Sequence, residues 1–407
     1  MRILQMVDYF GNFGGLERFV YNFSLELLAE GHDTVITALE AEETDWGAQA
    51  VPVVHVGAME NWEATIRDYQ PDLIIWHQST RSSEIVHRLA EAYPILATVH
   101  APICPAGGRL FRDKDEICCK PGGLGCLPRW YMRKCGTSTS PKAALQGLVQ
   151  YNSAIKALKA CRRIYTVSKS LKDFLVIDGL PENNVIIFDN TLGGLAQFYP
   201  ELAPVASDAK ELKLLYIGRL VYTKGVQYFL RSIRLLRDRG IEATGTVVGD
   251  GWYSGKLQSM AEELGIADAV QFVGKVAGQE VHHWYERSDV AVVPSIWPEP
   301  AGLVVPEARA LGKPVVVFDS GGLPEWSQWM DGIYVSRHAD AEDLADTVET
   351  AWNHLRQGTA AGAGAAAGSG VGRTVPAQAE AAPEYRRINI IEALQLYIGG
   401  LPQKVSK

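Results

Sequence analysis

Four charged residues carry the clearest chemistry in this sequence: Arg219, Lys224, Glu299 and Glu307. Arg219 and Lys224 belong to "GRLVYTKGV", which follows the apolar run "LLYI" and leads into a helix-like segment. A guanidinium, an ammonium and the N–H groups of a helix start, converging on one spot, suit a diphosphate. Glu299 and Glu307 stand eight positions apart in "WPEPAGLVVPEARALGKPVVVFDSGG". Eight residues are about two helical turns, so a continuous helix would put both carboxylates near one face. Pro300, Gly302 and Pro306 argue against that helix. Pro306 fits a first helical position, where its missing N–H is no loss, and Glu307 then lies in the first turn, favoured by the helix dipole. Glu299 is left in the preceding loop, and Gly312 and Pro314 stop the helix. Taken singly, each of these charges has an ordinary reading as solvated surface or as a helix-start acid.

Positioning them falls to a long α/β chain. At 407 residues it exceeds one ordinary core and suggests two domains. Short apolar runs ("RILQMVD", "DTVITAL", "PVVHV", "DLIIWH", "ILATVH", "RRIYTVS") alternate with helix-like stretches over residues 1–190. Near-continuous apolar strands between helices indicate a parallel sheet covered on both faces. The pattern breaks over residues 191–211, read as a linker, and restarts at "LKLLYIG". It then runs through "EATGTVVG", "AVQFVG", "DVAVVPS", "PVVVFD" and "GIYV" to about residue 357, a second doubly wound domain. Residues 358–382 have no aromatic residue, Leu or Ile and read as a low-complexity segment. A final helix is expected over 383–398, with Pro383 near its start and Gly399 at its end. Open α/β sheets bind ligands outside the carboxyl ends of their strands. Two such domains facing a central cleft would place the loops after the strands around one site.

Hydrophobic residues at 47% and charged residues at 21% describe a soluble globular chain, and a net charge of −8 argues against nucleic acid as a partner. The start "MRILQMVDYFGNFGG" is too short and polar for a signal peptide, and no apolar run reaches the length of a membrane span. A cytoplasmic location is expected.

The ordered set "GRLVYTKG", "VVGDG", "FVGKV", "SDVAVVPS" and "EPAGLVVPEARALGKPVV", together with "GGLERFVYNFSLEL" near the start, resembles the retaining glycosyltransferases of family 4, with their Glu-x7-Glu motif and GT-B fold. The resemblance covers most of the chain. It implies a nucleoside-diphosphate sugar as donor and an unidentified acceptor: a saccharide, a lipid-linked intermediate or a small metabolite. Arg219 and Lys224 would neutralise the departing diphosphate, Glu299 would meet hydroxyls of the donor sugar, and Glu307 would accept from the ribose. Backbone N–H groups around Gly302, Leu303 and Val304 would touch sugar or phosphate, and Lys275 falls at the base pocket. In the first domain, Gly14 and Gly15 would let the loop approach the donor phosphate, and His100, ending "ILATVH", would face the reacting sugar. His77 has a similar position without motif support, and His282–His283 reads as helix surface. Retention in this family is attributed to front-face substitution, in which the leaving phosphate helps deprotonate the acceptor. Domain closure would exclude water. The final helix would cross back to the first domain.

Asp113-x-Asp115 in "RDKDE" is the rival clue, since metal-dependent glycosyltransferases of another fold hold a cation with such a pair. Here it sits among charges rather than after a strand, and metal-independent transfer is expected. Cys104, Cys118, Cys119, Cys126 and Cys135 fall within 32 residues. Four thiolates could bind a structural zinc, yet the stretch has no Cys-x2-Cys pair; buried thiols or bridges fit comparably. Arg129, Trp130, Tyr131, Arg133 and Lys134 form an aromatic-basic patch, ordinarily an amphipathic loop, that could otherwise bring the protein to the inner face of a membrane. Two other functions fit the same scaffold: a nucleotide-sugar epimerase or hydrolase, and a non-catalytic nucleotide-sugar-binding partner protein.

Overall fold

The computed structural model describes residues 1–11, 14–42, 51–189, 210–277, 280–357, 373–374 and 388–399. The expected linker lies outside these residues except for 210–211, as does the low-complexity segment except for 373–374, and Pro383 lies outside them too.

The chain begins β1 (Arg2–Phe10), α1 (Gly15–Ala29), β2 (Asp33–Ala41), β3 (Val53–His55) and α2 (Asn61–Tyr69). It continues β4 (Leu73–His77), α3 (Ser83–Leu89) and β5 (Ile95–Val99). A short antiparallel hairpin follows, β6 (Leu110–Phe111) and β7 (Glu116–Ile117), then α4 (Cys126–Met132) and α5 (Pro141–Ala160). Next come β8 (Arg163–Thr166), α6 (Lys169–Ile177) and β9 (Val185–Asp189). The second half is β10 (Glu211–Ile217), α7 (Val226–Asp238), β11 (Glu242–Val248), α8 (Ser254–Glu263), β12 (Val270–Gly274) and α9 (Val281–Glu286). It closes with β13 (Val290–Val293), α10 (Val304–Ala310), β14 (Val315–Phe318), β15 (Ile333–Ser336), α11 (Ala341–Arg356) and β16 (Arg373–Thr374). Last are β17 (Ile388–Asn389) and α12 (Ile390–Gly399).

The chain divides into two compact units. In the first, the sheet order is β17-β9-β8-β5-β4-β1-β2-β3, parallel throughout. The strand β9 is absent from the sequence reading because "VIIF" is a brief apolar run after the polar turn "PENN". Helix α1 buries Phe19, Val20, Phe23, Ser24 and Leu27, spacing that keeps one stripe on the sheet. The final helix belongs to this unit: it starts at Ile390, where Asn389 accepts from the Ile391 N–H, and Tyr165 donates to the Ala393 carbonyl.

In the second unit the order is β12-β11-β10-β13-β14-β15-β16, with only the last pair antiparallel among the described strands. Its central strands are buried on both faces, and their residues alternate between two cores. Leu214, Tyr216, Val290, Val292, Val316 and Phe318 pack in one, while Leu215, Ala291, Val293, Val315 and Val317 pack in the other. Fully burying one such side chain stabilises the fold by about 1.5–3 kcal/mol, which explains the unbroken Val and Leu runs. The hairpin Leu110–Cys118 also belongs to this unit, although its neighbours in sequence belong to the first. Leu110 joins the larger core, and Asp115 at the turn accepts from Tyr222 Oη at 2.6 Å and Tyr228 Oη at 2.7 Å. Among the described residues no helix is long and apolar enough to cross a membrane.

Candidate functional site

Strands β10, β13 and β14 are neighbours in the second sheet, so the loops at their carboxyl ends meet. The Ile296 N–H donates to the Thr223 carbonyl at 3.0 Å, which ties the first loop to the second. Gly225 completes that junction: its φ is 71°, and a Cβ there would lie 1.7 Å from the Pro294 carbonyl oxygen. The third loop holds the second from the other side. Ser320 Oγ donates to the Trp297 carbonyl at 2.6 Å and the Gly322 N–H to the Glu299 carbonyl at 2.7 Å.

This framework brings Lys224 onto Glu299 across 75 positions of sequence. The ammonium donates to Glu299 Oε1 at 2.8 Å and to Oε2 at 2.7 Å. Ser295 Oγ and Trp297 Nε1 each donate to Oε2 at 2.8 Å. Both side chains are largely buried, at 19% exposure for Lys224 and 11% for Glu299. Burial alone would raise the Glu299 pKa; the adjacent Lys224 ammonium, with Trp297 and Ser295, outweighs it and holds the carboxyl below its usual range. An ammonium has three N–H donors. Glu299 takes two, and the third meets no hydrogen-bond acceptor among the described residues. The Trp297 ring lies 5.5 Å from Lys224 Nζ and walls that position. Neither Ser295 nor Trp297 was singled out from sequence, although the spacing Ser-x-Trp-x-Glu put them within reach.

The structure brings together only some of the expected residues. Arg219 follows β10 on the same loop as Lys224, with an exposed side chain and a carbonyl that accepts from Tyr216 Oη at 3.0 Å. Lys275 follows β12, two strands from β10 in the sheet. Helix α10 begins at Val304, two residues earlier than the proline suggested, so Pro306 is its third residue rather than its first. The position is still tolerated, because N–H groups of the first turn have no acceptor within the helix. Glu307 remains a first-turn acid, Leu303 takes the N-cap position without a side-chain hydrogen bond, Gly302 has φ 65°, and Glu299 stands outside the helix.

In the first unit, Gly14 (φ 115°) and Gly15 open α1 after β1, both exposed. His100, just past β5, packs against Phe19 and Phe188 with ring centroids 4.7 and 5.8 Å away. Burial pushes its pKa down to about 3, and His77, fully enclosed at the end of β4, is lowered well below its ordinary value by burial and by His100.

Among the described residues, no three of the five clustered cysteines bring their sulfurs within 4.8 Å of one another. Among the described residues, the one group of three candidate ligands within 4.8 Å is His282, His283 and Glu286 on the short helix α9. Cys118 goes with the hairpin to the second unit, while Cys104, Cys119, Cys126 and Cys135 stay with the first, and the described residues hold no disulfide. Asp115, half of the rival carboxylate pair, is occupied by its two tyrosines. Of the aromatic-basic patch, Arg129, Trp130 and Tyr131 lie on α4 and Arg133 and Lys134 follow its end; Trp130 points inward, donating to the Ser138 carbonyl at 2.6 Å.

Residues 201–355, which contain Arg219, Lys224, Lys275, Glu299 and Glu307, match the family described as Glycosyl transferases group 1. The chain is 31% identical over 202 residues to an uncharacterized glycosyltransferase of Methanocaldococcus jannaschii, covering 47% of this chain and 50% of that protein. It is 38% identical over 148 residues to the D-inositol 3-phosphate glycosyltransferase of Paenarthrobacter aurescens, covering 34% of this chain and 36% of that protein. The chain thus spans half or less of these curated relatives. Among solved structures, Anabaena HepE in complex with UDP and glucose aligns with a TM-score of 0.68 at 15% identity, over 98% of this chain and 99% of that one. The lipopolysaccharide outer core galactosyltransferase WaaB aligns at 0.62 and 14%, over 88% and 91%. These likenesses show the GT-B fold, two Rossmann-like domains in one chain.

Proposed function

We propose that the protein is a retaining, family 4-like glycosyltransferase that moves a sugar from a nucleoside-diphosphate sugar to an acceptor hydroxyl. The observation that carries this reading is the Lys224–Glu299 cluster at the carboxyl ends of β10 and β13, with one ammonium donor still open. Burying a carboxylate costs several kcal/mol unless it is paired and hydrogen-bonded, and replacing such pairs with apolar residues often stabilises a protein. A cluster of this kind therefore makes better sense as a binding device than as a stabiliser.

In this reading Lys224 and Arg219 take the developing charge of the leaving diphosphate. A preorganised donor of that kind contributes roughly 3–4 kcal/mol to the barrier. Glu299 accepts a donor-sugar hydroxyl at Oε1, which takes only the Lys224 ammonium, while lysine, serine and tryptophan hold Oε2 and make the carboxylate a grip rather than a nucleophile. Glu307, in the first turn of α10, accepts from the ribose, and the Leu303 and Val304 N–H groups face sugar or phosphate. Transfer proceeds without a metal in this reading, and Asp115 of the Asp113-x-Asp115 pair accepts from Tyr222 and Tyr228.

A thermal-shift panel of UDP-, GDP- and ADP-sugars tests the donor. Saturation at a hundred times Kd stabilises by about 2.7 kcal/mol, so one nucleotide series should raise Tm by several degrees. If none does, or if Glu307→Ala responds as strongly as the wild type, the donor assignment fails. Separation of product from hydrolysed sugar then distinguishes transfer from hydrolysis.

A further inference from the structure

His100 stands at the end of a chain of hydrogen bonds whose direction can be worked out atom by atom. Ser24 Oγ lies 2.8 Å from the Val20 carbonyl, which only accepts, so the serine proton is committed there. The serine oxygen is then an acceptor, and it lies 2.6 Å from Gln5 Nε2. That contact orients the Gln5 amide, with its second N–H 3.4 Å from Thr34 Oγ1 and its Oε1 turned the other way. Gln5 Oε1 is 3.0 Å from His77 Nε2 and can only accept, so His77 Nε2 carries a proton. His77 is fully enclosed and neutral, which leaves its Nδ1 bare. Thr98 Oγ1, 2.8 Å away, must donate to that Nδ1. The hydroxyl has then spent its proton, so its oxygen accepts from His100 Nε2 at 3.0 Å.

We infer that Gln5, Ser24, His77 and Thr98 form a one-directional relay that fixes His100 as its Nε2–H tautomer. The relay presents Nδ1 as an acceptor only, reserved for a ligand hydroxyl. Among the described residues Nδ1 has no hydrogen-bond partner and is not sealed from solvent. Opposite wiring would turn the Gln5 amide, free the Ser24 proton from Val20 and leave His100 with an Nδ1–H, which would suit a phosphate or carboxylate oxygen instead. Direction of the relay therefore decides between two ligand chemistries. A bare imidazole nitrogen rejects an anionic oxygen, since two lone pairs would face each other, and takes an O–H donor. That this donor is a hydroxyl of the transferred sugar rests on the function proposed above. The four relay residues are positioning residues. They act through His100 and need not touch ligand.

Nitrogen-15 NMR of the full chain with labelled histidine reads the tautomer directly, with the His100 signals assigned by their loss in His100→Gln. The expected pattern is a pyrrole-type Nε2 and a pyridine-type Nδ1 at neutral pH. Thr98→Val should leave the fold intact and release His100 to a mixture of tautomers. A protonated Nδ1 in the wild type, or a tautomer unchanged by Thr98→Val, overturns the relay. Deoxyfluoro analogues of whichever nucleotide sugar binds test the ligand, because fluorine cannot donate. One position should lose about tenfold in affinity, as expected for one net hydrogen bond, and His100→Ala should abolish that difference. If every position behaves alike while the sugar nucleotide still binds, His100 does not take a sugar hydroxyl. If no sugar nucleotide binds at all, the function proposed above fails and the tautomer result stands apart from it.

Discussion

The two strand-end sites of this protein solve the burial of polar groups in opposite ways. In the second unit, Lys224 and Glu299 are buried as an ion pair, with three donors on Glu299 Oε2 and the Lys224 ammonium alone on Oε1. In the first, a buried His77 and a half-buried His100 are neutral rings joined through Thr98, with Gln5 on the far side of His77 and no formal charge. Both lie just past parallel strands, so topology selects the place but not the chemistry. Local donors decide that. A carboxylate beside an ammonium stays ionised, whereas an imidazole among hydroxyls, an amide and phenyl rings sheds its proton.

The contrast can be broken most forcefully at the charged end. Lys224→Met should lower kcat/KM by about 10²–10³-fold, the loss expected for one preorganised electrostatic donor. The same variant should unfold about 2–3 kcal/mol more easily, somewhat less than for a fully buried pair left unmatched. Steady-state kinetics and urea titration read the two effects, and a variant within threefold of wild-type activity would remove Lys224 from the site. Gly225→Ala comes next. Its methyl group would collide with the Pro294 carbonyl from a left-handed backbone, and a loss of roughly 2–3 kcal/mol is expected from denaturant midpoints. A neutral result there would mean that the two loops are not locked together.

Asp115→Asn probes how far the charged site depends on the hairpin. The tyrosines that meet Asp115 include Tyr222, two residues before Lys224. Replacing the carboxylate with an amide should cost about 1–2 kcal/mol of stability and raise KM for the donor more than it lowers kcat. Equal stability in the two proteins would make the hairpin a passenger.

The smallest effect concerns pH, and the two regions should respond in different windows. A histidine whose folded pKa is lowered gives stability that is present above its unfolded value near 6.5 and lost as pH falls below it. Glu299, also lowered when folded, gives stability present above its unfolded value near 4.5 and lost only on further acidification. Between pH 7 and 5.5 the first unit should therefore weaken by on the order of 1 kcal/mol per buried histidine while the second does not. Hydrogen exchange, corrected for intrinsic rate, should show β1, β4 and β5 losing protection before β10 and β13. Simultaneous loss in both sheets would contradict the distinction.

Much of the architecture was legible because strands buried on both faces have little compositional freedom: "LKLLYI", "DVAVV" and "PVVVF" can hardly be anything else. The parts that were not legible depend on long-range contacts. "VIIF" is too short to announce β9 without its neighbour β8. The tip "RDKDE" looks like solvated charge until Tyr222 and Tyr228 meet Asp115 from more than a hundred positions away. Clustering of the cysteines left zinc, buried thiols and bridges open, and sequence does not show that the chain passes to the second unit midway through the stretch and carries Cys118 with it. At the candidate site, the residue types at 219, 224, 299 and 307 were what drew attention to these loops. Their partnership did not show in sequence, because Lys224 and Glu299 meet only once β10 and β13 lie side by side.

The most direct test is calorimetric titration of the bound nucleotide sugar, and of the same nucleoside diphosphate without sugar, into wild type and Glu299→Gln. If the cluster is the donor-sugar grip, Glu299→Gln should weaken the nucleotide sugar by about tenfold or more and leave the sugarless diphosphate within a factor of two or three. Equal weakening of both, or of neither, would contradict the assignment of Glu299 to the sugar.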